Sequence, residues 1–191
     1  ERNEGPTPTF NVCLERARGE LVHLLHGDDY VLPGFYATLA TAAERHPDVD
    51  FFAVRAFVVD EHDGLETVST RVPSLEHGGR DVRPFYYDNP FRTPAVVIRR
   101  ARYERVGGFD PRLVHVADWE MWVRAIHTGG GLAINEPLCA YRVFAGNHTS
   151  HMVRSAEGLR DHLRMAAAWD AAGLSDFSYA RFRRWIATTA R

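Results

Sequence analysis

Near its start, this chain has the order strand, loop, helix, strand, and that order constrains the fold more than any other feature of the sequence. Residues 21–25 are an apolar run typical of a short buried strand. Pro33 and Gly34 open a helical pattern that ends near Pro47, because proline disfavours helix in the residue before it. Residues 50–59 form a second apolar run. This alternation predicts an α/β domain with a mostly parallel sheet flanked by helices.

The first apolar run ends at His26-Gly27-Asp28-Asp29, which places two adjacent carboxylates after a strand. Open α/β sheets bind their ligands beyond the carboxyl ends of their strands, so this loop is a candidate site. Adjacent carboxylates repel each other, and a divalent cation commonly compensates them. Their oxygen atoms favour Mg or Mn over Zn. The alternative is that Asp28 and Asp29 are turn and N-cap residues before the next helix.

The pattern of elements predicts two parts, residues 1–150 as the α/β portion and residues 151–191 as a C-terminal helical segment. Glycine and proline interrupt residues 60–89, which predicts mostly irregular structure there. Further helices are predicted at residues 10–18, 99–106, 118–128, 155–171 and 179–190, and further strands at residues 95–98, 132–134 and 138–143.

Asp118 stands at the start of a helical pattern whose inner face carries Trp119, Trp122 and Ile126. An aspartate in that place is typical of an N-cap, which accepts a backbone N–H of the first turn. A carboxylate at the rim of a pocket can also act as a general base and take the proton from an attacking hydroxyl. The two roles are compatible, and both stay open at this point.

Composition and charge limit the function classes. The chain is 45% hydrophobic, enough for one sizeable core, and its net charge of -2 gives no general attraction to nucleic acid, so no nucleic-acid partner is expected.

Cys13 and Cys139 show no metal-site spacing, and no apolar stretch has membrane-spanning length or forms a leader. We therefore expect a cytoplasmic protein. The arginine surplus of residues 151–191 predicts exposed helix faces, with peripheral contact to the inner face of a membrane as the alternative.

Several short segments form a wider pattern along the chain. They are NVCLERARGE at residues 11–20, HGDD at 26–29, PGF at 33–35, VGGFD at 106–110, ADWEMW at 117–122 with Arg124, and Tyr141-Arg142 with Gly146, Asn147 and Ser150. Together and in this order they resemble the family 2 glycosyltransferases, which are inverting enzymes with the Rossmann-like, nucleotide-sugar-binding fold called GT-A. In that family a strand and loop that hold the nucleotide base and ribose should precede Asn3. The resemblance therefore implies a GT-A domain truncated at its N-terminal side.

The resemblance also implies a nucleotide-sugar donor (a UDP-, GDP- or dTDP-sugar) and a carbohydrate or lipid-linked acceptor. By position, Asp28 and Asp29 match the metal motif that holds Mg or Mn against the donor diphosphate, and His26 stands where the family has its first aspartate. His26 is interpreted either as a ligand or hydrogen-bonding group there, or as a structural residue beside the strand. Asp118 matches the general base, and Ala117 replaces the acid that usually precedes it. The implied reaction is an inverting sugar transfer, with bacterial polysaccharide or glycoconjugate synthesis as its expected context.

Other positions that match the family imply substrate contacts. Trp119 and Glu120 resemble residues that shape the acceptor side, and Gly108 belongs either to a segment that brings backbone close to the acceptor or to a simple turn. Arg142 is interpreted as a phosphate contact or as a structural ion-pair residue. His148 lies near the place of a family histidine and is a candidate metal or phosphate contact.

Two other functions remain open at this point. The chain can be a non-catalytic relative that keeps the fold as a carbohydrate-binding or scaffold module. His26 and Ala117 favour this alternative, whereas the carboxylates of Asp28, Asp29 and Asp118 argue against it. The chain can also be a metal-dependent nucleotidyltransferase or phosphohydrolase that uses the same acidic pair. Product analysis separates these alternatives, because only a glycosyltransferase passes a sugar to an acceptor.

Overall fold

A computed structural model describes residues 5–146, 155–174 and 176–189 of the chain. Its helices are α1 (Pro6–Arg16), α2 (Phe35–Arg45), α3 (Arg100–Val106), α4 (Ala117–Gly129), α5 (Ala156–Ala171) and α6 (Tyr179–Thr189). Its strands are β1 (Leu21–His23), β2 (Tyr30–Val31), β3 (Phe51–Val59), β4 (Leu65–Val68), β5 (Val96–Arg99) and β6 (Gly131–Arg142). Within the described ranges, no helix combines the length and the apolar character that crossing a membrane requires.

Most predicted elements are confirmed, with ends shifted by a few residues. Residues 132–134 and 138–143, predicted as two strands, form the single strand β6, whose register against β3 shifts near Pro137. Strands β2 and β4 were not predicted. β2 has only two residues, and the first three residues of β4 are exposed, so neither shows a buried apolar pattern.

The strands form one mixed sheet in the order β1-β5-β3-β6-β2, with β4 paired to β3. Among the described strands, β3 and β6 are the parallel pair, and the other pairs are antiparallel. The prediction of a mostly parallel sheet is therefore wrong. β1 and β3 run in the same direction, but β5 lies between them and runs in the opposite direction. The described chain between β3 and β5 contains no α-helix, and strands joined without such a crossover commonly pair antiparallel.

Strand β3 is buried on both faces, because alternate side chains of a strand point to opposite sides of the sheet. Phe51 and Phe52 are both fully buried, yet they belong to two different apolar clusters. On one face, Phe52 belongs to a cluster that includes Phe35 and Leu39 of α2. On the other face, Phe51 contacts Trp122 of α4, with ring centroids 5.8 Å apart. Helices therefore cover both faces of the sheet.

Helices α5 and α6 contribute to the larger of these clusters, together with α4. Met165 and Trp169 of α5 and Phe182 of α6 are buried there. The ring of Trp169 lies 5.9 Å from the ring of Trp119 in α4, measured between centroids. Helix α5 therefore packs against the first turn of α4, and Phe182 of α6 packs against Trp169 of α5.

Candidate active site

A cleft of about 840 Å³ is lined by two of the acidic residues that the sequence singled out, Asp28 and Asp118. Val58 and Tyr141, near the ends of the parallel strands β3 and β6, line part of it. The loop after β1 contributes His26 and Asp28, and the first turn of α4 contributes Asp118. The carboxylates of Asp28 and Asp118 therefore line one cleft.

Asp29, next to Asp28, is buried with 8% of its surface exposed, and it is not among the residues that line the cleft. Its Oδ1 accepts a hydrogen bond from the backbone N–H of Arg142 at 2.9 Å. Its Oδ2 is buried and has no hydrogen-bond partner among the described residues. Burial raises the pKa of Asp29 to about 7, and the neighbouring charge of Asp28 acts in the same direction. A buried polar atom without a partner costs folding free energy, so a proton or a cation bound to Oδ2 would stabilise the folded state.

His26 completes a group of three candidate ligands. Its ring stacks on Phe10 with centroids 5.2 Å apart, and its Nδ1 lies 3.9 Å from Asp29 Oδ2. Burial lowers the pKa of His26, which favours the neutral imidazole with a free lone pair. One ligand atom from each of His26, Asp28 and Asp29 lies within 4.8 Å of the other two. This donor set fits a single divalent cation, and the buried Asp29 Oδ2 is one of the atoms that could bind it.

Neither acidic group serves as a helix N-cap. The N-cap residue of α2 is Gly34, without a side-chain capping bond, so Asp28 and Asp29 lie in a turn but do not cap that helix. The N-cap residue of α4 is Val116, which places Asp118 inside the first turn. The N-cap interpretation is therefore wrong for Asp28 and Asp29, which lie well before Gly34. Asp118 is not the N-cap residue either, but its carboxylate does accept a backbone N–H of the first turn, that of Trp119.

Asp118 is held by hydrogen bonds to both of its carboxylate oxygens. Oδ1 accepts the backbone N–H of Trp119 at 2.6 Å, and Oδ2 accepts the hydroxyl of Thr93 at 3.2 Å. Burial raises the pKa of Asp118, and these two bonds oppose the rise, as do the charge of His26 when it is protonated and the charge of Arg92. The result is a fixed carboxylate that is a stronger base than an ordinary aspartate.

Arg142, at the end of β6, holds residues 24–29 in place, the loop between β1 and β2 that contains Asp28 and Asp29 and is called the acidic loop below. Its Nε donates to the backbone oxygen of Asp28 at 3.0 Å, and its Nη1 donates to the backbone oxygen of Asp60 at 3.0 Å. Its Nη2 pairs with Asp63 at 2.9 Å, and its guanidinium lies over the ring of Tyr30. Of the two interpretations of Arg142, the observed contacts are those of a structural ion-pair residue.

Glu120 and Gly108 lie behind the wall of the cleft and not among its lining residues. Glu120 is buried and pairs with Arg124 on the next turn of α4, at 2.6 Å between Oε2 and Nη2. Arg124 Nη2 also donates to the backbone oxygen of Gly108 at 3.0 Å. A Cβ added at Gly108 would lie 2.3 Å from Asn11 Oδ1, so Asn11 would have to move to admit a side chain there. In this structure the two residues join α1, α4 and the turn between α3 and α4.

Trp119 forms part of the cleft wall although only 6% of its surface is exposed. Its Nε1 donates to the backbone oxygen of Phe85 at 2.7 Å, and its ring meets that of His162 edge-on, with centroids 5.8 Å apart. These contacts fix the indole in one orientation. His148, the remaining predicted contact, lies outside the described residues.

Several lining residues were not predicted. Arg92 and Thr93 precede β5 in a part of the chain without a predicted element, and His162 and Trp185 come from α5 and α6. Thr93 contacts Asp118 directly. These side chains reach the cleft through long-range folding, and no local spacing in the sequence connects them with Asp118.

No protein-family model matches the chain. The amylovoran biosynthesis glycosyltransferase AmsE of Erwinia amylovora is 30% identical to it over 159 residues, which are 83% of this chain and 56% of AmsE. The chain spans about half the length of the curated relatives it matches.

Two solved structures share the fold. TarS 1-349 of S. aureus in complex with UDP-GlcNAc has a TM-score of 0.61 at 18% identity, covering 97% of this chain and 52% of that chain. The mannosyltransferase PcManGT from Pyrobaculum calidifontis in complex with GDP-Man and Mn2+ has a TM-score of 0.57 at 16% identity, covering 100% of this chain and 49% of that chain. At these identities the likeness shows the fold alone. The chain therefore shares a mixed sheet with flanking helices with these two structures, and over 83% of its length it is similar in sequence to a protein named as a glycosyltransferase.

Proposed function

We propose that this chain belongs to an inverting family 2 glycosyltransferase of the GT-A fold, with residues 1–150 as the rear portion of the catalytic domain and residues 151–191 as its C-terminal helical segment. It moves a sugar from a UDP-, GDP- or dTDP-sugar to a hydroxyl of a carbohydrate or lipid-linked acceptor, in polysaccharide or glycoconjugate synthesis. The observation that carries this proposal is that His26, Asp28 and Asp118 line one cleft. The name of AmsE and the ligands of TarS and PcManGT support the reaction class and the donor class.

In this proposal His26, Asp28 and Asp29 hold Mg or Mn. The buried, unpartnered Asp29 Oδ2 and the mutual proximity of the three ligand atoms support the assignment, within the part of the chain that the structure describes. When bound, such a cation neutralises the charge that grows on a leaving nucleoside diphosphate. Arg142 serves by holding the acidic loop, and His148 remains a candidate metal or phosphate contact. Mn in the PcManGT complex makes Mn the first cation to test.

Asp118 takes the proton in the transfer step. Its carboxylate is fixed by Trp119 and Thr93, and its raised pKa makes it a better proton acceptor. The acceptor oxygen attacks the anomeric carbon while the bond from that carbon to the diphosphate oxygen breaks, and the acceptor proton moves to Asp118. The attack comes from the face opposite the leaving diphosphate, so the anomeric configuration inverts and no covalent enzyme intermediate forms. Trp119 shapes the acceptor side as part of the wall, supported from behind by Glu120 and Gly108.

Calorimetric titration of the intact protein with UDP, GDP and dTDP, with Mn or with EDTA, tests the donor side. We expect nucleotide binding that requires Mn, and an affinity at least about tenfold weaker in Asp28→Ala because one ligand is lost. Asp48→Ala removes an exposed carboxylate after α2 and should bind like the wild type. Equal binding in EDTA, or unchanged binding by Asp28→Ala, would contradict the metal assignment.

NMR of the reaction products tests the transfer itself. With Mn, a suitable donor and an acceptor, we expect free nucleoside diphosphate and a glycoside of inverted anomeric configuration. A retained configuration would contradict the single-displacement step. Release of pyrophosphate or inorganic phosphate without sugar transfer would instead identify a nucleotidyltransferase or a phosphohydrolase.

A further inference from the structure

Asp161 of α5 is fully buried, and one of its oxygens holds the chain that leads into α4. Asp161 Oδ2 accepts the backbone N–H groups of Val114 at 2.8 Å, His115 at 2.6 Å and Val116 at 3.2 Å. Val116 is the N-cap residue of α4, and its own side chain cannot cap the helix. A carboxylate from a helix more than forty residues further along the chain therefore stabilises this helix start.

The position of these bonds matters because Asp118 lies two residues beyond Val116, in the first turn of the same helix. Of the three N–H groups, that of Val116 belongs to the start of α4, and those of Val114 and His115 belong to the segment before it. N–H groups at a helix start have no partner within the helix, and a negative charge there also interacts favourably with the helix dipole. Three N–H groups directed at one oxygen fix the path of the chain as it enters α4. The segment 114–116 also lines the cleft beside Asp118.

We propose that Asp161 is a positioning residue for the transfer reaction. It holds the segment 114–116 and the first turn of α4 so that the Asp118 carboxylate stays in the cleft, facing the loop of His26. Asp161 acts through Asp118 and does not touch the substrate. This inference rests on the proposed function, in which Asp118 is the base, and it makes α5 a necessary part of the catalytic apparatus.

The geometry of Asp161 predicts a graded response to substitution. Oδ2 alone accepts the three N–H groups, and Oδ1 lies 3.5 Å from Nη1 of Arg164. Asparagine can present a neutral oxygen in the place of Oδ2, so it keeps weaker versions of the three bonds. Alanine has no acceptor and leaves all three N–H groups without their partner. Activity should therefore follow the order wild type, Asp161→Asn, Asp161→Ala.

The test compares turnover with donor-side binding in the intact protein. We expect kcat to fall about tenfold in Asp161→Asn and about a hundredfold in Asp161→Ala, because small misplacements of a catalytic group cost that much. Mn-dependent binding of the nucleoside diphosphate should stay within about twofold of wild type, since it uses the loop after β1. Asp170→Asn and Asp170→Ala, at an exposed aspartate of the same helix, are the matched controls and should leave both quantities unchanged.

Two results would overturn the inference while leaving the proposed function intact. The first is an active wild type together with a folded Asp161 variant of unchanged kcat. The second is a parallel fall of kcat, nucleotide affinity and folded fraction, which is the behaviour of a residue needed for stability alone. If Asp161→Ala does not fold, the kcat and the nucleotide affinity of Asp161→Asn alone test the inference. An intact wild type that transfers no sugar would remove the proposed function, and the inference with it.

Discussion

Asp29 shows, at the scale of one side chain, how a ligand site can cost stability. Its carboxylate is buried, and its Oδ2 has no hydrogen-bond partner among the residues described, so ionisation without a cation is unfavourable. The folded protein therefore keeps a proton on Asp29 up to about pH 7, whereas an ordinary aspartate loses it near 3.8. Because the folded state binds more protons between these values, the contribution of Asp29 to stability falls as pH rises through this window.

In EDTA, we expect Asp29→Asn to be more stable than wild type near neutral pH, by up to about 4 kcal/mol for a pKa shift of this size. Asparagine keeps an oxygen for the N–H of Arg142 but cannot ionise. Urea unfolding at about pH 5 and about pH 8 measures the difference, which should grow with pH. Asp48→Asn, at an exposed position, is the control. Equal pH dependence of stability in wild type and Asp29→Asn would contradict this account of the buried carboxylate.

The sequence identifies those site residues whose setting is local. Asp28 and Asp29 follow an apolar run, and Asp118 opens an amphipathic helix, so each could be singled out without a structure. The role of His26 stayed open, because its distance to Asp29 depends on the turn that the loop makes. No pattern in the sequence singles out Thr93, because its hydrogen bond to Asp118 forms only when chain segments 25 residues apart meet in the fold.

Among the secondary-structure elements, the helices were predictable and the strand partners were not. Apolar spacing locates α2 and α4 because each buries one face against the sheet. The direction of β5 depends on where the chain re-enters the sheet after the irregular segment 69–92, and no residue pattern encodes that. The mixed sheet nevertheless leaves the parallel strands β3 and β6 adjacent, and the cleft lies at their ends.

Arg142 ties the end of β6 to the acidic loop and to the turn between β3 and β4. Methionine at this position has a similar apolar stem but donates no hydrogen bond, so we expect Arg142→Met to weaken Mn binding about tenfold, as loss of a supporting contact commonly does. Arg142→Lys should not restore it, because an ammonium lacks the planar fork that serves several acceptors. Calorimetry with Mn measures the change.

Arg71→Met is the matched control for this prediction. Arg71 forms an ion pair with Glu76 away from the cleft, so its loss should leave Mn affinity unchanged. If Arg142→Met bound Mn as tightly as Arg71→Met and the wild type, the acidic loop would have to hold its geometry without Arg142.

Over the whole molecule, the candidate site is assembled from parts that are distant in sequence. The loop after β1 supplies the ligand group, the first turn of α4 supplies Asp118, and α5 and α6 add His162 and Trp185 to the lining. The α/β class with helices on both faces followed from the alternation of elements. The contribution of the C-terminal helices to the site could not be predicted from the order of elements, because it depends on buried contacts such as those of Asp161 and Trp169.

The turnover of Asp118→Asn tests the central claim most directly. Asparagine keeps the size of the side chain and an acceptor for the N–H of Trp119, but it cannot take a proton. We expect the acceptor-dependent release of nucleoside diphosphate by the intact protein to fall by about 10²–10⁴-fold, the range typical of a lost general base. Mn-dependent nucleotide binding should be unchanged. A rate close to that of the wild type, with the donor bound normally, would contradict the assignment of Asp118 as the base.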